Sequence, residues 1–349
     1  MEKKCRITVL MSVYNGERYL REAIDSILNQ TYKDFEFVIY DDCSTDNTPE
    51  IIESYSDSRI VYHRNSVNQG LTRNLADGVS RSAADYIARM DADDIAYPER
   101  LERQLQWMDH HPEVTILGSA VTYFKDTLGD LGIAKQPLDD VTIKAMLFIS
   151  FTLMHPSIMI RREELVKQGL NYNPEYRCSQ DHALYLDCIR KGLKFANTEE
   201  PLLHMRAHGG SISRARHGLQ QECSQRARLH FLKATGIADG CTEEEIAVYN
   251  TFASGEYPDS EHKVHVYEHF VEKVYKNPAT SMYFDKDCLR ILMADKLCNG
   301  AYHAIDNKQL KQAALAARRS WLKTYSTKWP CNLRIKFIFK VIISVLSRS

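Results

Sequence analysis

Three carboxylates fall among four residues, at Asp91, Asp93 and Asp94, where the apolar-leaning run Tyr86-Ile87-Ala88-Arg89-Met90 ends. Carboxylates this close repel one another, so a positive charge is expected among them. Oxygen ligands at the end of a rigid strand suit a hard divalent cation, Mg²⁺ or Mn²⁺, and such a cation can hold a diphosphate. A lone Asp-X-Asp is more often a solvated acidic turn, so the weight falls on what else the chain brings to the same place. Two more β-rich runs end in polar residues. Phe35-Glu36-Phe37-Val38-Ile39-Tyr40 closes on Asp41-Asp42, and Ile7-Thr8-Val9-Leu10-Met11-Ser12-Val13 closes on Tyr14 and Asn15, with Ser12 near its end.

The elements that must position these groups are legible in the spacing of apolar residues. The three runs predict buried strands, as do Ile60-Val61-Tyr62-His63 and Val114 to about Phe124. Between them, Leu20, Ala23, Ile24, Ile27 and Leu28 recur at helical spacing through Gln30. Thr48 before Pro49 opens a helix through about Tyr55, Leu71 to about Ser82 forms another, and Pro98 opens one with Leu101, Leu105 and Met108 on one face. Strands alternating with helices predict a parallel, doubly wound sheet, which binds ligands outside the carboxyl ends of its strands. The three polar strand ends would converge there. From about residue 214 the alternation stops, and helical patterns follow at 215–234, 242–253, 260–276, 285–304 and 307–323. The expected organisation is a sheet-bearing domain over 1–214, a helical region over 215–325 and a tail over 326–349.

Composition narrows the class. At 349 residues the chain exceeds what one core usually serves, and 44% hydrophobic with 26% charged residues is ordinary for a folded soluble protein. Nine scattered cysteines fit neither a disulfide framework nor a paired-cysteine zinc site, so reduced thiols in a cytosolic protein are expected. Lys3 and Lys4 lead straight into the first strand-like run, without the apolar stretch of a signal peptide. The net charge of −1 hides an asymmetry: residues 1–306 hold 35 basic and 46 acidic residues, whereas ten Lys and Arg and no acid follow Asp306. A basic end on an acidic body suggests an anionic surface as its partner.

Four segments occur in order within 94 residues: Val9-Leu10-Met11-Ser12-Val13-Tyr14-Asn15-Gly16, Tyr40-Asp41-Asp42-Cys43-Ser44-Thr45-Asp46-Asn47-Thr48, Asn68-Gln69-Gly70-Leu71-Thr72-Arg73-Asn74 and Asp91-Ala92-Asp93-Asp94. Together they resemble the inverting, metal-dependent glycosyltransferases of family 2. The resemblance covers about the first 215 residues. It implies the α/β fold called GT-A, with a mixed, mainly parallel sheet, here followed by a C-terminal α-helical appendage. It also implies that Asp93 ligates Mn²⁺ or Mg²⁺ and that Asp91 faces the ribose or the outer shell of the metal. Asp94 then caps a helix or supports a ligand from behind. Asp42 matches the carboxylate that accepts the uracil N3–H, while Asp41 caps the Ser44-Thr45 turn. Ser12 and Tyr14 flank the base, with ordinary strand-end packing as the competing role for Ser12. Asn15, Asn68, Gly70, Arg73 and Ala92 complete the nucleotide-sugar set, Arg73 and Asn74 matching a family segment with a shift. Cys43 stands where the family commonly has glycine, which calls for a strained backbone.

An inverting transfer needs one general base to take the proton of the acceptor hydroxyl. In the family this is the Asp of an acidic pair opening a helix after a loop rich in Gly, Asn and Pro. Asn171-Tyr172-Asn173-Pro174-Glu175-Tyr176 resembles that loop, and Ser179-Gln180-Asp181 opens a helix with Leu184, Cys188 and Leu193. Asp181 is the candidate base, with Gln180 in place of the usual Glu; the alternative is a carboxylate that only favours the helix N-terminus. Leu202 to Ser213 resembles the family segment whose histidine, here His208, completes the metal site or touches the diphosphate. Gly209 and Gly210 would let it close over the donor. His204 is assigned a structural role, and Arg206 or Arg214 a contact to the diphosphate. Met154 to Arg162 resembles the strand before the base, which puts His155 near the acceptor or the diphosphate unless it is a satisfied core histidine.

Leu333 to Leu346 mixes Phe, Ile and Val with cations, too short an apolar run to span a bilayer but suited to an anionic headgroup layer. Trp321 and Trp329 upstream suit the same interface. The alternative is a terminal helix packed on the body or on a second copy of the chain. The resulting expectation is a hexosyl- or N-acetylhexosaminyl-transferase moving sugar from a UDP-sugar to a glycan or lipid-linked saccharide in surface-polysaccharide assembly. It would be cytoplasmic, peripheral to the inner face of the cell membrane, with no nucleic-acid partner. A nucleotidyltransferase would need a basic, Gly-rich phosphate loop after the first strand, where this chain has Tyr14-Asn15-Gly16-Glu17-Arg18. A non-catalytic sugar-nucleotide-binding or scaffold protein is favoured by Gln180 and Cys43 and opposed by Asp93, Asp181 and His208.

Overall fold

The computed structural model describes residues 5–125, 131–207, 217–256 and 260–303. The expectations for His208, Gly209, Gly210, Arg214, the helix at 307–323 and the basic tail lie outside these residues.

Strands β1 (Ile7–Val13), β2 (Phe35–Asp41), β3 (Ile60–Arg64) and β4 (Tyr86–Met90) form the parallel half of the sheet, in the order β3-β2-β1-β4. Helices α1 (Leu20–Leu28), α2 (Thr48–Glu53) and α3 (Leu71–Arg81) make the crossovers. β1 and β4 are almost continuously apolar because both faces of a parallel sheet are covered. Side chains alternate across it. Tyr86, Ala88 and Met90 join Ile7, Val9 and Met11 in one core cluster with α1 and with Leu101, Leu105 and Met108 of α4 (Arg100–His110). Each of the three α4 side chains stabilises by roughly 1.5–3 kcal/mol on burial. Leu10 faces the other side, beneath α3, where a Cβ on Gly78 would come within 2.4 Å of it.

Beyond β4 the parallel run gives way to the mixed sheet that the family resemblance implied. β8 (Met159–Arg161) pairs antiparallel with β4 and with β6 (Ile116–Phe124). The long β9 (Phe195–Arg206) runs parallel to β6, and β5 (Ile95–Ala96) and β7 (Gly132–Ala134) add short antiparallel pairings. The sheet is therefore mixed, its longest pairings parallel. In register, Ser12 lies beside Tyr40 and Met11 beside Met90. Tyr14, Asp42 and Asp91 thus leave the sheet at one edge.

Helices α5 (Asp140–Ile149), α6 (Arg162–Lys167), α7 (Gln180–Arg190) and α8 (His217–Thr235) complete the sheet-bearing half. α9 (Glu243–Ala253), α10 (Glu261–Lys276), α11 (Thr280–Tyr283) and α12 (Lys286–His303) follow. The chain divides into two compact units, residues 1–240 with 273–289, and residues 241–272 with 290–349. In the second, Thr242 and Glu245 form a capping box on α9, and Tyr249 stacks on Phe270 with ring centroids 4.6 Å apart.

Candidate active site

The three carboxylates after β4 converge, their ligand atoms all within 4.8 Å of one another. The cation expected among them is in part the protein's own. Arg89, buried in β4, pairs its Nη2 with Asp91 Oδ1, and its Nε and Nη1 have no partner among the described residues. Asp94 is buried; its Oδ1 accepts the Arg206 N–H at 2.9 Å, and its Oδ2 has no partner among the described residues. Burial, then the charges of Asp91 and Asp93, push its carboxyl well above the ordinary range. Asp94 caps no helix, because β5 and the Pro98 turn intervene before α4 begins at Arg100. Arg100 itself is fully buried and donates to the Arg89 carbonyl at 2.6 Å, and burial with the neighbouring Arg89 lowers its pKa to about 9. Neither Arg89 nor Arg100 carried a signal in the sequence beyond its nearness to the acidic turn. An all-oxygen donor set with an orphaned buried carboxylate oxygen fits a hard divalent cation.

At the β2 end of the edge, Asp42 organises the neighbouring loop. Its Oδ1 accepts from Asn65 Nδ2 and the Gln69 N–H, and its Oδ2 from the Gly70 N–H, each at 2.8 Å. Asp42 thereby clamps the loop that carries Asn68. Gly70 takes φ 87°, which glycine adopts without cost, and opens α3. Asn65 also donates to Asn74, which donates to Ser12 Oγ at 2.9 Å, so the β1 and β2 ends and α3 share one hydrogen-bonded chain. Asn74 is buried, whereas Arg73 and Asn68 are exposed and Tyr14 stands 52% exposed at the rim. Asp41 caps the turn as expected, accepting the Ser44 N–H at 2.8 Å. Asn15 accepts the Thr45 N–H at 2.8 Å. Cys43 does take the strained conformation, with φ 66°.

α3 also holds the loop before α7. Thr72 Oγ1 donates to the Tyr176 carbonyl at 2.6 Å and Asn171 Nδ2 to the Ala76 carbonyl at 2.9 Å. Ser179, in the left-handed region at φ 53°, precedes α7, its hydroxyl donating to the Gln220 carbonyl rather than capping the helix, and Asp181 sits in the first turn. Burial raises the Asp181 carboxyl; Arg89 opposes the rise and Asp91 adds to it. Asp181 and the acidic turn, 90 residues apart in sequence, therefore share one electrostatic neighbourhood around Arg89. His155 is not on a strand. It opens a 3₁₀ turn, His155–Ser157, forced by Pro156, and its Nε2 lies 2.9 Å from the Tyr172 hydroxyl. Burial, with Arg89 beside it, holds this histidine neutral. His204 is structural, stacked on Tyr97 with centroids 4.0 Å apart.

Residues 8–170 match the family model described as Glycosyl transferase family 2. An uncharacterized glycosyltransferase of Methanocaldococcus jannaschii is 38% identical over 208 residues, spanning 57% of this chain and 70% of its own. WfaP of Escherichia coli, a UDP-Glc:alpha-D-GlcNAc-diphosphoundecaprenol beta-1,3-glucosyltransferase, is 30% identical over 209 residues, 59% of this chain and 79% of its own. Among solved structures, S. aureus TarS 1–349 in complex with UDP-GlcNAc superposes with a TM-score of 0.56 at 15% identity, over 92% of this chain and 91% of that one. At that identity the likeness speaks to the fold, which is GT-A. Sequence and fold agree, and the chain belongs to the glycosyltransferases of family 2.

Proposed function

We propose that the enzyme moves a sugar from a UDP-sugar to a hydroxyl of a glycan or lipid-linked saccharide, with inversion at the anomeric carbon. The observation that carries this reading is the common neighbourhood of Asp181 and the acidic turn around Arg89. It is what a base acting beside a diphosphate leaving group requires.

Asp93 would hold a divalent cation, Mn²⁺ or Mg²⁺, with His208 as a further ligand and Asp91 in its outer shell or at the ribose. Such an ion, when bound, neutralises the charge that grows on the diphosphate as it leaves. Asp42 keeps acceptor capacity beyond its three loop donors, and a uracil N3–H would take it. Ser12, Tyr14, Asn15, Asn68, Gly70, Arg73 and Ala92 line the nucleotide and sugar. Asp181 takes the proton of the acceptor hydroxyl while that oxygen bonds to the anomeric carbon and the carbon's bond to the diphosphate breaks. A carboxyl held above its ordinary pKa is a stronger base for that step. His155 supports the Tyr172 loop from behind.

WfaP is named for a diphosphoundecaprenol-linked acceptor. An acceptor of that class, in surface-polysaccharide assembly, also suits the basic, apolar segment 333–346, which would dock the enzyme on the inner face of an anionic membrane. No described helix is long and apolar enough to cross a membrane. Equal sedimentation with membranes of the full chain and of one ending at Pro330 would remove the docking role.

Calorimetric titration of UDP, with CDP and GDP as controls, tests the donor site. UDP should bind about a hundredfold or more tightly with Mn²⁺ or Mg²⁺ than without, the Asp93→Ala variant should lose that gain, and Asp181→Asn should keep it while losing transfer. UDP binding as tight without metal as with it, or GDP binding as tight as UDP, would refute the donor assignment.

A further inference from the structure

Arg206 is the last residue of β9 and lies 112 and 113 positions beyond the acidic residues it touches. Its guanidinium sits between the rings of Tyr19 and Phe124, with centroids 4.1 and 4.4 Å away, and its side chain is 1% exposed. Nη2 donates to Glu22 Oε2 at 2.7 Å, Nε to the Asp93 carbonyl at 2.8 Å and Nη1 to the Lys125 carbonyl at 3.4 Å. Its own N–H donates to Asp94 Oδ1. One residue thus grips the main chain of Asp93 and the carboxylate of Asp94 together.

A buried cation is costly unless it is paired and hydrogen-bonded, so this arrangement has to be specific. Only a planar fork can stack on two rings while its nitrogens reach three oxygens in different directions; an ammonium is a single point charge. The rings and Glu22 hold the guanidinium still, and the guanidinium in turn holds the Asp93 carbonyl. The next described bond, from the Ala207 N–H to the Phe124 carbonyl at 2.7 Å, continues the same anchoring.

We propose that Arg206 is a positioning residue for the donor site, setting the Asp93 main chain and Asp94 carboxylate and so the aim of the Asp93 carboxylate at a divalent cation. This rests on the cation reading of the Asp91–Asp94 turn given above. Arg206 touches no reacting atom; it acts as the group behind a metal ligand does.

The test is Mn²⁺-dependent UDP binding by calorimetry on the full chain, with melting temperatures, for wild type, Arg206→Lys, Tyr19→Leu and Asp93→Ala. Arg206→Lys should raise the half-saturating Mn²⁺ by about 10–100-fold, although the charge is kept. Tyr19→Leu removes one face of the sandwich and should raise it by about 2–5-fold. Added to Arg206→Lys, it should do nothing more, because its partner is gone. Wild-type half-saturation in folded Arg206→Lys overturns the inference, whatever the melting temperature does. If Arg206→Lys does not fold, an unchanged half-saturation in Tyr19→Leu overturns it instead. Asp93→Ala separates the two levels. If it binds Mn²⁺ and UDP as wild type does, the cation reading itself fails; if it alone loses binding, only the role of Arg206 does.

Discussion

Replacing Asp181 with asparagine keeps the size of the side chain and its place in the first turn of α7, but removes the charge. Loss of a general base slows transfer by roughly 10²–10⁴-fold, and UDP binding should stay as in wild type. Stability should move the other way. Burial raises the Asp181 carboxyl above its ordinary range, against the pull of Arg89, so the folded protein binds this proton more tightly than the unfolded chain. Below the unfolded pKa of about 3.9 both states are protonated and nothing is lost. As pH rises through the folded pKa, wild type must give up a proton that only the fold retains, and it loses stability that Asp181→Asn does not. The asparagine forgoes the favourable charge at the helix start, about 0.3–1 kcal/mol, but the net upward shift means that burial prevails. The variant should therefore melt above wild type at pH 8 and with it at pH 4. Calorimetric melting across that range and UDP release from UDP-sugar donors supply both readouts. Transfer within tenfold of wild type would remove Asp181 as the base, and a variant melting below wild type at pH 8 would refute the electrostatic argument.

Asp42→Asn offers one oxygen to three donors, so the Gly70 N–H faces an amide and a charge-assisted bond is lost. Urea unfolding should show a cost of about 1–2 kcal/mol and calorimetry a fall in UDP affinity of about tenfold or more. Gly70→Ala meets no atom within 4 Å but must hold φ 87°. It should cost about 1–2 kcal/mol from backbone strain alone, and a neutral urea midpoint would show that the turn relaxes. In the absence of divalent cation, residual UDP binding should strengthen as ionic strength rises, because the carboxylates repel the diphosphate; weakening with salt would reverse that account.

The strands and helices that carry the site were legible because their apolar periods are clean. β1, β2, β4, α1, α3 and α4 lie where the spacing puts them, and the four described helices after residue 216 that were read from the sequence start and end within two residues of expectation. α5 was not, since apolar residues from Val141 to Ile149 surround most of it and only Asp140, Thr142 and Lys144 are polar, too few to set a clear period. β5 and β8, two and three residues long, are too short to show alternation at all. The site divides along the same line. Asp91, Asp93 and Asp181 announce themselves by chemistry and by their place at an element's end. Arg89, Arg100 and Arg206 do not, because a buried arginine is specified by the carbonyls, rings and carboxylates that close around it, and these come from β4, β6, α1 and the acidic turn together.

On the proposed donor reading, those arginines also account for a cation beside the diphosphate. Arg89 is paired with Asp91, Arg206 with Glu22, and Arg100 with main-chain carbonyls. They orient the carboxylates without cancelling them, which leaves a surplus of negative charge; burial first, and then the charges of Asp91 and Asp93, raise the Asp94 carboxyl. A diphosphate brought to this edge alone meets that surplus. At a separation of ~5 Å and an effective dielectric near 20, each uncancelled pair of unit charges costs about 3 kcal/mol, or roughly a hundredfold in affinity. Neutralising the turn with a fourth arginine would favour nucleotide binding at all times, but a fixed charge holds the departing diphosphate as firmly as the arriving donor. A divalent ion held by Asp93, as proposed, would arrive and depart with the diphosphate, and a turn left short of positive charge suits such an exchange.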